Sequence, residues 1–162
     1  MQSMRTSRKK IKYYDAISQG YDELYGKEQI EKAREILKYI TPKGLLLDIG
    51  AGTGISTELF KDKTTCILLE PSFNMLKKAK GLCVLGFAEN LPFKDKTFDT
   101  VISITSLHHA DIKKSLREIK RVSKKDAQIA FTILKKSKYS KINIKGFKKL
   151  DIGKDVLFIT ID

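Results

Sequence analysis

Three alternate glycines at Asp48-Ile49-Gly50-Ala51-Gly52-Thr53-Gly54 follow directly on the apolar run Leu45 to Ile49. That arrangement constrains the fold more than any other feature of the chain. Gly50 and Gly52 lack Cβ atoms, so the main chain can turn sharply and come against a ligand. The spacing is G-x-G-x-G. The G-x-G-x-x-G turn of dinucleotide enzymes instead has a third glycine that allows close helix packing and a helix N-terminus that holds a pyrophosphate. The difference favours a ligand without a pyrophosphate.

Around this turn, short β-branched apolar runs alternate with amphipathic helical segments, the pattern of a parallel sheet covered by helices on both faces. Ile30, Ala33, Leu37 and Ile40 predict a helix over Glu28 to Ile40, stopped by Thr41-Pro42-Lys43-Gly44. Ile55 to Phe60 reads as a short helix, Thr65 to Leu69 as a second buried strand and Leu82 to Phe87 as a third. Ser72 caps the helix between them. Phe98 to Ile104 is the clearest central strand. Asp111 caps a helix with Ile112, Leu116, Ile119 and Val122 on one face, and Ala127 to Leu134 follows as a strand. Phe147 to Ile152 and Val156 to Ile161 flank Gly153-Lys154 and predict a closing antiparallel hairpin. The fold class expected is therefore α/β, doubly wound and mostly parallel, with helices on both faces and a C-terminal antiparallel hairpin.

The 162 residues suit one domain with its own core, and 41% hydrophobic with 31% charged residues place the chain in the soluble globular class. No signal-peptide run and no stretch able to span a bilayer are visible, so a cytoplasmic location is expected. Cys66 and Cys83 lie in apolar segments without metal-ligand spacing and read as small buried hydrophobes, and no metal site is expected. The net charge of +13 is concentrated at Arg5, Arg8, Lys9, Lys10 and Lys12 and again from Lys113 through Lys154. Such basicity can attract nucleic acid, but a lysine-rich surface also serves solubility alone, and that plainer reading is preferred.

Glu70 closes the second apolar run, about 20 residues after the first, where a carboxylate can accept hydrogen bonds from both ribose hydroxyls. A carboxylate directly after a buried run needs a partner. The ligand expected therefore carries a ribose with a free 2′-hydroxyl. A tight turn without a ligand is the alternative for the glycines alone, and the acid with its strand context argues against it.

Four ordered stretches carry a family resemblance: Asp48 to Gly54; Glu70-Pro71-Ser72-Phe73-Asn74-Met75-Leu76; Gly86-Phe87-Ala88-Glu89-Asn90-Leu91-Pro92-Phe93 with Phe98-Asp99; and Ser106-Leu107-His108-His109 with Arg117-Glu118 and Arg121-Val122. From Tyr13 to Leu134 the chain resembles the class I S-adenosylmethionine-dependent methyltransferases, of the broad group of ubiquinone and menaquinone biosynthesis methyltransferases (methyltransferase type 11). The resemblance implies a Rossmann-like fold and S-adenosyl-L-methionine as cofactor, with S-adenosyl-L-homocysteine as its product. It also implies a single domain over residues 1–162: a basic and aromatic lid over 1–27, a cofactor-binding core over 28–134 and a closing segment over 135–162.

By the same resemblance, Asp48, Gly50, Ala51 and Gly52 face the methionine part of the cofactor and Glu70, followed by Pro71, holds the ribose. Met75 lies against the adenine, Ala88 and Glu89 meet its edge, and Thr105 completes the contact set. On spacing alone, Met75 beside Leu76 reads equally as core. The family often has Asp where this chain has Phe87, which shifts adenine recognition to Ala88, Glu89 and stacking. The usual Lys-Pro-Gly-Gly is replaced by Lys124-Lys125-Asp126-Ala127, a changed surface turn.

Methyl transfer from a sulfonium is an in-line displacement in which alignment supplies much of the acceleration, so a dedicated base is optional. His108 and His109, the only histidines, follow the fourth strand, and adjacent residues of extended chain cannot face the same way. His108 is the preferred proton acceptor. Tyr13, Tyr14, Tyr21 and Tyr25 suit an aromatic lid; Tyr21 is preferred as the residue facing the site, and for Tyr13 and Tyr14 an amphipathic helix packed on the body is nearly as good a reading. Ser103-Ile104-Thr105-Ser106 stands where some family members carry an Asn/Asp-Pro-Pro-Tyr motif, which disfavours methylation of bases or glutamine amides. The expected acceptor is a small molecule. The alternatives are RNA tracked by the basic ends, or a cofactor-binding subunit that is inactive or needs an activating partner; a homo-oligomer is also compatible. A dehydrogenase, the fold-level competitor, is opposed by the glycine spacing.

Overall fold

The computed structural model describes residues 2–161, with side chains from Lys9 onward. Met1, Asp162 and the side chains of Arg5 and Arg8 in the basic N-terminal run lie outside the described residues. The elements in chain order are α1 (Gln2–Ile17), α2 (Tyr21–Ile36), β1 (Leu45–Ile49), α3 (Glu58–Lys61), β2 (Thr65–Glu70), α4 (Phe73–Leu76), β3 (Leu82–Leu85), β4 (Phe98–Ser103), α5 (Ile112–Val122), β5 (Ser123–Leu134), β6 (Phe147–Ile152) and β7 (Asp155–Thr160). The strands form one sheet in the order β3-β2-β1-β4-β5-β7-β6. The pairings from β3 across to β5 are parallel, and β7 runs antiparallel to both β5 and β6. The Rossmann-like doubly wound architecture and the closing hairpin are as the pattern predicts.

Strand period sorts each strand's side chains to two cores. Leu47, Ile49, Val101, Phe131 and Phe158 pack with Ile112, Ile119 and Val122 of α5 on one face. Leu46, Leu68, Ile102, Ala130 and Leu157 pack with Ala33 and Ile36 of α2 and Phe60 of α3 on the other. Burial on both faces is why these strands are continuously apolar rather than alternating. Phe131 sits opposite Phe158 across the β5–β7 ladder, their rings stacked at 4.9 Å and 7°, a cross-strand pair that fastens the hairpin to the parallel sheet.

Several boundaries differ from the expected ones for local reasons. α2 begins at Tyr21 and ends at Ile36, three residues of turn short of Ile40, because the chain must leave helical geometry before Pro42. The helix expected over Ile55 to Phe60 is delayed to Glu58, since Gly54 has φ +78° and the segment behind it stays in turns. β3 stops at Leu85. Cys66 is buried as expected, but Cys83, on this edge strand, is only half-buried. Asp111 does cap α5, its Oδ1 accepting from the amides of Lys113 and Lys114 at 3.1 Å. No helix among the described residues is long and apolar enough to cross a membrane.

A buried polar cluster fixes α2 and β7 to the end of β4. Lys32 Nζ lies 3.1 Å from Asp155 Oδ1, whose side chain is fully buried. It donates to Thr105 Oγ1 at 2.8 Å, and that hydroxyl donates to Asp155 Oδ2 at 2.8 Å. Thr105 has φ +52°, left-handed backbone that costs a β-branched residue energy, and its amide is held by Thr132 Oγ1 at 2.8 Å. Removing one member of a buried pair strands the other charge. Lys32 also pairs with Glu28 Oε1 at 2.7 Å, whereas Asp155 has no second cation among the described residues. Lys32→Met is therefore expected to lower unfolding free energy by about 3–5 kcal/mol in urea titration, and Lys32→Met combined with Asp155→Leu to lower it by much less.

Candidate functional site

The strand order reverses between β1 and β4, and in open α/β sheets a ligand crevice forms outside the carboxyl ends of the strands at such a switch point. Here that crevice is a partly open cleft with a cavity volume of about 100 Å³, lined from both sides of the switch point. The glycine turn forms its floor. Gly50 donates to Leu69 O at 2.7 Å and has φ +72°; a Cβ there would lie 1.9 Å from Ser106 Oγ. Gly52, at φ +60°, would carry its Cβ toward Met75 Cε and Tyr21 Cε1, so bare backbone is exposed between those two side chains. Gly54 serves packing instead: a Cβ would lie 2.7 Å from Leu68 Cδ2.

Glu70 stands at the end of β2 and is 6% exposed. Its Oε2 accepts from the Gly52 amide and its Oε1 from the Ser72 amide, both at 2.9 Å. Burial pushes its carboxyl up, and the two amides pull it back down. Each oxygen keeps a further lone pair, and the side chain lines the crevice. Ser72 also caps α4, accepting from the Met75 amide at 3.2 Å, which sets Met75 against the glycine turn.

Of the residues expected at the cofactor, Gly50, Gly52, Glu70, Pro71, Met75, Ala88, Glu89 and Thr105 line the crevice. Asp48 and Ala51 do not. β1 alternation turns Asp48 beneath the turn toward α3, where Oδ2 accepts from Thr57 Oγ1 at 2.6 Å and Oδ1 has no partner. Burial foremost, opposed by Thr57 and supplemented by the Glu70 charge, pushes its carboxyl up to about 7. Ala51 packs in the core with Phe60. Glu89 lines the crevice but its Oε1 is engaged by the Asp111 amide at 3.0 Å, so it also holds the start of α5. Phe87 lies at the rim, 47% exposed.

Of the two histidines, His109 lines the crevice and the preferred His108 does not. Residues 107–109 form one 3-10 turn, which rotates successive side chains by about 120°. With Leu107 driven into the core, His109 meets the crevice and His108 does not. Both ring nitrogens of His108 are buried without a partner among the described residues, and burial foremost lowers its pKa to about 4. His109 Nδ1 is 2.9 Å from Lys10 Nζ and Nε2 is 3.0 Å from Tyr14 Oη; burial first, then His108 and Lys10, lower its pKa to about 3.

Tyr21 faces the crevice, and so does Tyr14, for which lid and body packing were both open; Tyr13 is exposed. Burial raises both facing phenols, that of Tyr14 to about 12. Among the wall residues that sequence reasoning did not place at the site, Lys10 and Ile11 lie on α1 together with Tyr14. Their i, i+1, i+4 spacing was the available signal for one helix face. Asp15 accepts from Ser72 Oγ, and Lys78 Nζ donates to Ser18 O at 2.6 Å, so the end of α1 is tied to α4.

A family model described as methyltransferase domain matches residues 47–131, the span from β1 to β5 that builds this crevice. The uncharacterized protein MJ1252 of Methanocaldococcus jannaschii is 40% identical over 128 residues, covering 75% of this chain and 50% of that protein. The chain belongs to the class I S-adenosylmethionine-dependent methyltransferase family. The demethylmenaquinone methyltransferase of Corynebacterium urealyticum is 32% identical over 72% of this chain and 56% of its own length. The chain thus spans about half the length of these two relatives. Among solved structures, a SAM-dependent methyltransferase of Leishmania major superposes with TM-score 0.73 at 15% identity, over 96% of this chain and 82% of that one. A chain from the complex of the Haloferax volcanii Trm112 methyltransferase activator with its methyltransferase gives 0.70 at 22% identity, over 74% and 59%. At these identities the likeness is one of methyltransferase fold.

The buried acid of this methyltransferase turn makes stability depend on pH. Asp48 is neutral in the fold up to about 7, whereas in the unfolded chain it ionises near 3.8, so the unfolded state binds fewer protons between those values and stability falls as pH rises through that window. Asp48→Asn removes the titration. The melting temperature of the variant minus that of the parent is expected to be smallest near pH 4 and to grow up to pH 8, as read by circular dichroism.

Proposed function

We propose that this chain is an S-adenosylmethionine-dependent methyltransferase acting on a small molecule. The observation that carries the reading is the Glu70 carboxylate, pinned by the Gly52 and Ser72 amides on the wall of a crevice at the sheet's switch point. A carboxylate held by two amides and lining the crevice, with lone pairs to spare, suits a vicinal diol such as a ribose. Met75 supplies a polarizable apolar surface beside the turn, and the Ala88 backbone offers donors and acceptors for a heterocycle edge. Bare backbone at Gly50 and Gly52 admits the amino-acid end. The residues present therefore fit an adenosine carrying an amino-acid arm.

When bound, S-adenosylmethionine supplies a methyl group activated by the positive sulfur. The chain's own contribution is to bind, orient and exclude water. Ile11, Tyr14 and Tyr21 from α1 and α2 line the crevice beside the turn with apolar and aromatic surface, which favours a small acceptor over RNA. Neither histidine suits a base: His108 is off the wall, and His109, lowered to about 3, takes up no proton at neutral pH. Transfer here rests on alignment, with an acceptor that is already nucleophilic or releases its proton to water.

A second reading adds an activating subunit. It is favoured by the β3 edge, where Leu82 and Leu85 are each 56% exposed and the strand carries no charge, while the opposite edge, β6, is guarded by exposed Lys148 and Lys149. The Haloferax volcanii protein of the same fold is in complex with an activator. The first reading is tested by calorimetry with S-adenosylhomocysteine and with NAD. Binding of the former only is expected, weakened at least about tenfold, or about 1.4 kcal/mol, by Glu70→Gln. Preference for NAD, or equal affinity of the variant, would count against it.

A further inference from the structure

On the α1 side of the crevice, Lys10 and Tyr14 are left with unused hydrogen-bond donors. Lys10 Nζ sits 2.9 Å from His109 Nδ1, and no carboxylate among the described residues pairs with it. An ammonium has no lone pair, so Nδ1 must be the acceptor in that contact. His109 is neutral, so its proton is on Nε2 and is donated to Tyr14 Oη at 3.0 Å. Tyr14 is thereby used as an acceptor by the histidine, and its own hydroxyl proton has no acceptor among the described residues. The remaining ammonium protons of Lys10 are likewise without a protein acceptor. Both side chains line the crevice, opposite in charge character to the Glu70 wall.

We propose that Lys10, His109 and Tyr14 form an oxyanion subsite that takes a carboxylate or phosphoryl oxygen of the bound ligands, a proposal that rests on the cofactor reading of the crevice. Lys10 supplies charge and Tyr14 a directed hydroxyl donor. His109 acts as a positioning residue: locked by Lys10 in one tautomer, it turns the phenol proton outward. Charge-assisted bonds of this kind are stronger than neutral ones and are lost when either donor is removed. The oxygen has two candidate sources, the methyl acceptor or the amino-acid end of the cofactor, and the same experiment separates them.

Lys10→Met and Tyr14→Phe keep the side-chain bodies and remove only the donors. Wild type and both variants are titrated with S-adenosylhomocysteine, with 5′-methylthioadenosine, which has no carboxylate, and with inorganic pyrophosphate before and after saturation with S-adenosylhomocysteine. If the cofactor is the source, both variants bind S-adenosylhomocysteine at least about tenfold more weakly and methylthioadenosine within about twofold of wild type. If the acceptor is the source, pyrophosphate binds the saturated wild type and its binding is lost in both variants. Nitrogen-15 histidine spectra supply an independent readout: His109 is expected as the neutral Nε2–H tautomer at pH 6, with the tautomer ratio shifting in Lys10→Met. The proposal is overturned if the variants match wild type for every ligand, or if His109 carries its proton on Nδ1. Should wild type bind neither nucleoside, the cofactor reading fails. Pyrophosphate titration of the free protein and the histidine spectrum then still decide the subsite.

Discussion

Glu70 joins two backbone amides from different elements, one in the turn after β1 and one at the start of α4, and the crevice depends on that bridge. A carboxylate in this position, 6% exposed, would be costly without hydrogen bonds. The amides meet that need and in return are held in place. Because Ser72 then caps α4, the same carboxylate sets where Met75 lies, and Met75 in turn closes on Gly52. Turn, buried acid and apolar slab are thus one mechanical unit, built from residues 50–76.

The opposite rim is fixed by other means. Thr105 lies in left-handed backbone at the end of β4, and the bonds it accepts from Lys32 and donates to Thr132 and Asp155 offset that strain. This makes α2 and the closing hairpin part of the site's scaffold although neither reads as a binding element. α1, tied at Asp15 and Ser18 and touching His109 through Lys10 and Tyr14, then covers the crevice between the two rims.

Strands β1, β2, β4 and the α5 cap were legible because each is a local signal: an apolar run long enough to be buried on both faces, or an Asp one residue ahead of an amphipathic period. The glycine turn and Glu70 were legible for the same reason, since spacing along the chain fixes their distance from the strand ends. Asp48 was placed at the ligand by resemblance and lies under the turn because strand alternation, once the register is set by Leu46 and Leu47, sends it to the α3 face. The choice between His108 and His109 depended on a single 3-10 turn whose rotation is set by Leu107 entering the core, a long-range packing event.

The order of strands and helices, the bare turn at 50–54 and the acid that follows it were determined by the sequence alone, because hydrophobic period and glycine content act within a few residues of themselves. Tertiary structure decided which helix roofs the crevice, which histidine meets it and how Lys10 and Tyr14 are paired with that histidine. Those contacts join residues nearly a hundred positions apart. Their geometry follows from how the layers pack, which no local pattern encodes.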